Sequence, residues 1–251
     1  MIATDLAIAL DPARVMLAAG LEPDPWQAAL LRSTATQHLL LCTRQAGKST
    51  TTAALAVWEA LYHAPALILL LSPSLRQSSE LFKKVMEFHR ALPHSVPVKE
   101  ESALRLELVN GSRIIALPGS EATIRGYSGV RLLVVDEAAR IDDALYYSVR
   151  PMLAVSAGRL VMLTTPFGKR GAFFEAWQSG DQWERVKVTA YDCPRIAPAF
   201  LAEERAAVGD WWFNQEYLCE FTETTDQVFS YDDVMAACND TIKPLFQGAL
   251  Q

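Results

Sequence analysis

Long apolar runs are missing from this sequence. Even runs such as Ala66 to Leu71 stop after six residues, where a helix crossing a bilayer needs about 20. A basic leader is missing too, and Asp5 interrupts the apolar character of the first residues, which argues against a secretion signal. Cysteine is scarce: Cys42, Cys193, Cys219 and Cys238 are scattered, with no Cys-x-x-Cys pair. That spacing argues against a zinc site or a disulfide frame and for reduced thiols in a cytosol. The histidines His38, His63, His89 and His94 show no ligand spacing. Basic excess is also lacking. At a formal net charge of −6, a simple module gripping DNA along one broad basic face is disfavoured. Any DNA contact must come from local Lys and Arg clusters, or from several subunits around one duplex.

What is present is ordinary globular composition, 51% apolar and 21% charged in 251 residues, enough for one large α/β domain or one domain with a small appendage. Asp11-Pro12 and Asp24-Pro25 read as N-caps followed by proline at the first helical position. "HLLLC" (38–42) reads as a buried strand and "KSTTTAALAVWEALYH" as a helix to about His63. "ALILLLS" is a second strand. Ser74 and Gln77 suit a capping box for the helix that follows. "LRLELV" and "SRIIAL" flank Asn110-Gly111, the signal for a hairpin with a type I′ turn. "RLLVVDEAAR" gives a strand ending in two acids, "DDALYYSVRPML" a helix, "GRLVMLTTP" a strand, "GAFFEAWQS" a helix and "WERVKVTAY" a strand. Apolar strands alternating with helices predict a mostly parallel sheet covered on both faces. A shift toward Trp, Tyr and acids after about Gly180 suggests a core over 1–178 and a smaller C-terminal subdomain over 179–251.

Chemistry concentrates at three strand ends. "CTRQAGKST" resembles a phosphate loop, G-x-x-x-x-G-K-[ST], with Cys42 where the first glycine belongs. A strand-to-helix turn there surrounds an anion with backbone N–H groups; Gly47 permits close approach, Lys48 reaches the β/γ phosphates and Ser49 meets Mg²⁺. Asp136 and Glu137, after four apolar residues, have the form of a Walker B strand: Asp136 for Mg²⁺, Glu137 for the attacking water. Together the two motifs point to nucleotide hydrolysis. Thr164 and Thr165, at a third strand end, lie where α/β proteins bind ligands. Gln27 has an amide able to read adenine. Arg44, Arg125, Arg140 and Arg150 are candidate phosphate-directed cations. Arg125, beside Gly126 and Gly129, suits a mobile arginine finger best.

These residues share an order with one family. "PDPWQ", "CTRQAGKST", "TIRGYSG", "LLVVDEAAR", "LTTPFGKRGAFFEAW" and "NQEYLCEF" resemble the N-terminal ATPase domain of the large terminase subunit, the DNA-packaging motor of tailed bacteriophages, over about Pro23 to Phe229. In that family the loop often lacks its first glycine and carries an arginine. The resemblance implies an ASCE-type P-loop NTPase fold, α/β with a mostly parallel sheet and a small C-terminal lid. It implies ATP and Mg²⁺ as cofactors. Gln27 would contact adenine, and Arg44, Gln45, Ala46, Gly47, Lys48, Ser49 and Thr50 would form the Walker A loop. Ser49 and Asp136 would hold the metal, with Glu137 as the catalytic carboxylate. Lys48, Arg44 and Arg125 would assist, Arg125 in trans. Thr164, Thr165 and Pro166 would couple hydrolysis to movement.

The implied partners are double-stranded DNA, the portal protein and the small terminase subunit, in a pentameric ring in the host cytoplasm. This reading leaves the isolated domain free to be monomeric. The family's nuclease domain is not expected, since Asp232, Asp233 and Asp240 form no strand-borne acid set. Lys83, Lys84 and Arg90, or Lys169 and Arg170, are candidate DNA contacts. Two alternatives stand beside it. One is a superfamily-two helicase-like ATPase, which needs a second RecA-like lobe. The other is a nucleotide-binding ring module with little turnover.

Overall fold

Parallel strands buried on both faces must be apolar at every position, and that is what the runs read above become. The computed structural model describes residues 2–93, 95–119, 126–179, 182–223, 229 and 231–237. Its strands are β1 (Gln37–Cys42), β2 (Leu67–Ser72), β3 (Val98–Glu101), β4 (Arg105–Leu108), β5 (Arg113–Pro118), β6 (Val130–Asp136), β7 (Arg159–Thr164) and β8 (Glu184–Val188). They form one sheet in the order β3-β4-β5-β2-β6-β7-β1-β8. All pairings from β5 to β8 are parallel, and β3 and β4 add an antiparallel edge. Side chains alternate between two cores. Leu40, Ile68, Leu70, Leu132, Val134 and Leu163 join one cluster, and Leu39, Leu41, Leu69, Leu133, Val135 and Met162 the other.

Helices α1 (Ile2–Leu10), α2 (Arg14–Ala18), α3 (Pro25–Arg32), α4 (Lys48–Tyr62) and α5 (Leu75–Ala91) contribute to the first core. The second is covered by α6 (Asp143–Val149) and α7 (Gly171–Gln178). The chain continues into α8 (Pro198–Glu216), interrupted at Gly209 (φ 79°), and α9 (Tyr231–Ala237). The α/β, mostly parallel architecture expected from sequence is the one observed. One strand, β7, lies between the strand of the glycine-lysine loop and the strand of the two acids, so all three strand ends open on the same edge.

Several local expectations change. The Asn110-Gly111 turn is not type I′: Gly111 has φ 85° and Asn110 does not join it in the left-handed region. Leu108 accepts from Gly111 N–H at 3.0 Å and donates to the Ser112 carbonyl at 2.9 Å. This is the three-residue loop with a glycine bulge, and the Asn110 amide ties it to the Ala60 carbonyl of α4. Ser74 caps α5 through Gln77 N–H, but its hydroxyl takes the Gln77 side chain, leaving half a capping box. "DDALYYSVRPML" divides into α6 and a 3-10 turn at Arg150–Leu153, where Pro151 cannot supply an α-helical N–H. The strand β3, "VKEE", is exposed throughout and carries no apolar alternation to betray it. β8 pairs with β1, so the sheet runs past the boundary expected at 178/179. Beyond Val188, Ala190, Leu201 and Phe213 form a small cluster of their own, while Cys193 and Cys219 still pack into the two main cores.

His38, fully buried in β1, accepts from the Arg159 guanidinium at 3.1 Å and lies 3.8 Å from the Glu184 carboxylate. Burial, with the Arg159 charge adding, pushes its pKa down to about 3. The unfolded chain takes up that proton below about pH 6.5, so stability contributed by neutral His38 falls as pH drops from there toward 3. We expect the loss to reach about 2 kcal/mol by about pH 5. His38→Gln should remove this part of the slope in urea titrations repeated across that window.

Candidate functional site

The loop after β1 is shaped by two left-handed residues, Gln45 (φ 64°) and Gly47 (φ 87°). A side chain at position 47 would meet strain and also Gln27 Nε2, which lies 2.7 Å from where its Cβ would stand. Directly after it α4 begins at Lys48, presenting unpaired N–H groups and the positive end of a 15-residue helix. Threonines in its first turns are satisfied locally: Thr51 Oγ1 donates to the Gly47 carbonyl at 3.0 Å and Thr52 Oγ1 to Lys48 O at 3.3 Å. Cys42, at the end of β1, is fully buried and its thiol is pushed up by burial, so it supplies packing and no thiolate.

Facing the loop across β7 is the end of β6. Ser49 Oγ donates to Asp136 Oδ2 at 3.2 Å, Glu137 N–H donates to Asp136 Oδ1 at 3.0 Å, and Lys48 Nζ lies 3.2 Å from Glu137 Oε1. Glu137 is itself left-handed (φ 49°). Its Oε2 is buried without a hydrogen-bond partner, with Arg140 Nε 3.9 Å away. Asp136 is 6% exposed. Burial pushes its pKa up to about 6 and the Glu137 charge adds to this, while Lys48, the Glu137 N–H and the Ser49 hydroxyl pull it down.

At the third strand end Thr164 and Thr165 are buried. Thr164 Oγ1 accepts from Ala139 N–H at 3.3 Å and donates to the Thr165 carbonyl at 2.7 Å. Thr164 thus links β7 to the 3-10 turn Ala138–Arg140 that follows the acids. Pro166 is buried beside it.

The outer side of the loop is held by residues remote in sequence. Asp24 N–H donates to Gln27 Oε1 at 2.8 Å, which occupies one of the two amide atoms a base contact would need. Arg195 grips both oxygens of Asp24, at 3.0 and 2.7 Å, and reaches the Ala46 carbonyl at 3.4 Å. Arg44 pairs with Glu216, and Thr43 Oγ1 donates to the Glu216 carbonyl at 2.7 Å. The structure therefore gathers Gln27, Arg44 to Thr50, Asp136, Glu137 and Thr164 to Pro166 around one edge. Arg125 and Asp240 lie outside the described residues.

Arg150 stands over Tyr146 at 5.6 Å and away from this group. Lys83, Lys84 and Arg90 do not form one basic face: Lys84 turns onto Thr50 Oγ1 (3.3 Å) and Arg90 pairs with Glu101. Lys169 lies 3.5 Å from Glu223, and Arg170 borders Phe167. Arg140, one of the four candidate arginines, comes to 3.9 Å from Glu137. Arg195 had no local signal, and Glu216 stood in the segment "NQEYLCEF" with nothing to mark it as a partner of Arg44.

Among the described residues no group of three or more His, Cys, Asp or Glu side chains gathers that could hold a metal ion. The hydroxyl and carboxylate of Ser49 and Asp136 suit a hard cation that takes its remaining oxygens from a bound phosphate and water. The orphaned Glu137 Oε2 faces the same region with an acceptor to spare.

The family model described as "Terminase large subunit, T4likevirus-type, N-terminal" matches residues 39–235. The large terminase subunit of Thermus phage G20c is 25% identical, over 86% of this chain and 52% of that protein. That of Thermus virus P23-45 gives the same figures. The chain thus spans about half the length of the curated relatives it matches. Among solved structures, the large terminase ATPase domain of Thermus phage P74-26 has a TM-score of 0.71 at 23% identity, covering 82% of this chain and 97% of that one. The large terminase of a second thermophilic bacteriophage, in complex with ADP, has a TM-score of 0.65 at 10% identity, covering 80% and 54%. At such identities these structures carry the fold, and they share the P-loop NTPase architecture expected from sequence.

Asp136 gives the site a measurable cost. Its folded pKa lies above its unfolded value, so its buried charge opposes folding at neutral pH, and the penalty fades as pH falls toward the unfolded value. Asp136→Asn should raise metal-free stability at pH 7.5 by about 2 kcal/mol, measured by urea denaturation in chelator.

Proposed function

The chain belongs to the terminase large-subunit N-terminal family, and from that membership we propose that it hydrolyses Mg-ATP to drive double-stranded DNA into a procapsid. The observation that carries this reading is the register of loop and acids: Lys48 lies 3.2 Å from Glu137 and Ser49 3.2 Å from Asp136, across the end of one intervening strand. The ADP-bound large terminase described above, of the same fold, also binds ATP-γ-S in a separate structure.

In this mechanism the N–H groups from Ala46 to Ser49 receive the phosphates. Lys48 exchanges its contact with Glu137 for phosphate oxygens, which frees Glu137 to orient the attacking water. Ser49 and Asp136 would hold Mg²⁺, and the ion would supply positive charge to offset that of the phosphates. Arg44, through Glu216, braces the loop. Thr164, through its bond to Ala139 N–H, reports a change at the acids to β7, and Thr165 and Pro166 continue that coupling path. Gln27 supplies its amide nitrogen toward adenine, Thr50 borders the phosphates, and Arg125 completes the site of a neighbouring subunit.

The active form is a pentameric ring at the portal, served by the small terminase subunit, in the host cytoplasm. The C-terminal subdomain expected over 179–251 acts as the lid. Among the described residues no helix is long and apolar enough to cross a membrane. The single eight-stranded sheet offers no second RecA-like lobe among the described residues, so the helicase alternative gains no support.

Glu137→Gln should cut phosphate release by roughly 10²–10⁴-fold while nucleotide binding persists, and Lys48→Ala should lose binding. Unchanged turnover in Glu137→Gln would overturn the assignment. The specific rate should climb steeply with protein concentration, and Arg125→Ala should remove that climb, since a trans arginine is worth about 10³–10⁵ in rate. A flat wild-type profile sinks the trans role.

A further inference from the structure

The loop's two left-handed residues and its run of outward N–H groups need support from outside, because a short irregular turn has little packing of its own. That support comes through a chain of contacts from a residue 149 positions beyond Ala46. Arg195 binds both carboxylate oxygens of Asp24, a two-pronged geometry available to arginine alone. Asp24 is 8% exposed and caps α3, and its backbone N–H orients the Gln27 amide. With that oxygen fixed, Gln27 Nε2 sits against Gly47. The same guanidinium reaches the Ala46 carbonyl. Removal of Arg195 would leave Asp24 a nearly buried charge without its cation, free to turn, and would loosen Gln27 and the peptide between Ala46 and Gly47 together.

We propose that Arg195 is a positioning residue for the phosphate loop: through Asp24 and the Ala46 carbonyl it holds the 46–48 peptide groups in the orientation that receives a nucleoside triphosphate. This rests on the nucleotide reading of the site. Arg195 acts through the loop in both the ground and the transition state, so its loss falls on KM and leaves kcat nearly intact. It acts on the phosphate end, so ATP and ADP are affected alike.

The test measures ATP and ADP affinity, kcat, KM and thermal midpoint for the wild-type chain, Arg195→Ala, Arg195→Lys, Asp24→Asn and the Arg195→Ala/Asp24→Asn double variant. Arg195→Ala should weaken both nucleotides by roughly tenfold, the usual scale for a charge-assisted hydrogen bond at a partly exposed position. KM should rise in step, with kcat within about twofold. Arg195→Lys should recover only part of the affinity, because one ammonium cannot span the carboxylate. The double variant should bind no worse than the weaker single one, since both act along one path. Should Arg195→Ala fold poorly, Arg195→Lys and Asp24→Asn read the same effect. Wild-type affinity in folded variants, even with a lowered thermal midpoint, overturns the inference and leaves Arg195 a docking contact. A wild-type chain that binds no nucleotide overturns the functional reading instead.

Discussion

Asp136 is a carboxylate at the end of a strand buried along nearly its whole length, and the arrangement of the site follows from how that charge is compensated. An isolated buried carboxylate costs several kcal/mol. Here the compensation comes from three directions: the Glu137 N–H from its own chain, the Ser49 hydroxyl, and the Lys48 charge beside it. Ser49 and Lys48 reach it only if α4 starts at the right height above the sheet edge. That height is set by β1 pairing with β7 in register and β7 with β6. The sheet is therefore more than a scaffold for separate motifs. A slip of one residue along β7 would reverse its faces and separate Ser49 from Asp136.

The residual cost at Asp136 is informative in its own right. Even with three compensating groups its carboxyl stays raised, and Glu137 keeps one acceptor unsatisfied. A site built for stability alone would place an amide at 136 and a partner on Glu137 Oε2. On the proposed reading, both features would be relieved by a cation and by water aligned on a phosphate. The local instability thus has the character of a binding site prepared for charge that arrives with its ligand.

Much of this was legible in the sequence, and the limits were physical. The strands of the parallel core announce themselves because burial on both faces demands unbroken apolar runs such as "LLVV". Gly47, Lys48, Asp136 and Glu137 stand at strand ends, where position along the chain nearly determines position in space. Other features depend on encounters that no local pattern encodes. β3 is four exposed residues, paired with β4 and tied to α5 by the Arg90–Glu101 ion pair. The hairpin turn at Asn110 depends on a carbonyl of α4 as well as on its own dipeptide. Arg195 and Glu216 lie 171 and 172 residues from Asp24 and Arg44, within the C-terminal segment whose composition marks a subdomain and not its contacts. Arg140 stood among the candidate arginines, and its place 3.9 Å from Glu137 shows only in the fold.

The missing first glycine of the loop has a structural consequence that connects these points. Where a glycine would leave the strand exit loose, Cys42 is fully buried and closes β1. The loop's irregular geometry is then borne by Gln45 and Gly47 alone, and its outer wall passes to ion pairs with the C-terminal segment. The two pairs are unequal. Arg44 and Glu216 are 64% and 17% exposed, Arg195 and Asp24 51% and 9%, and Asp24 alone is held through both carboxylate oxygens. Salt screens exposed pairs first and shields partly buried ones least. Rising ionic strength should therefore loosen the Arg44 end of the loop before the Ala46 end.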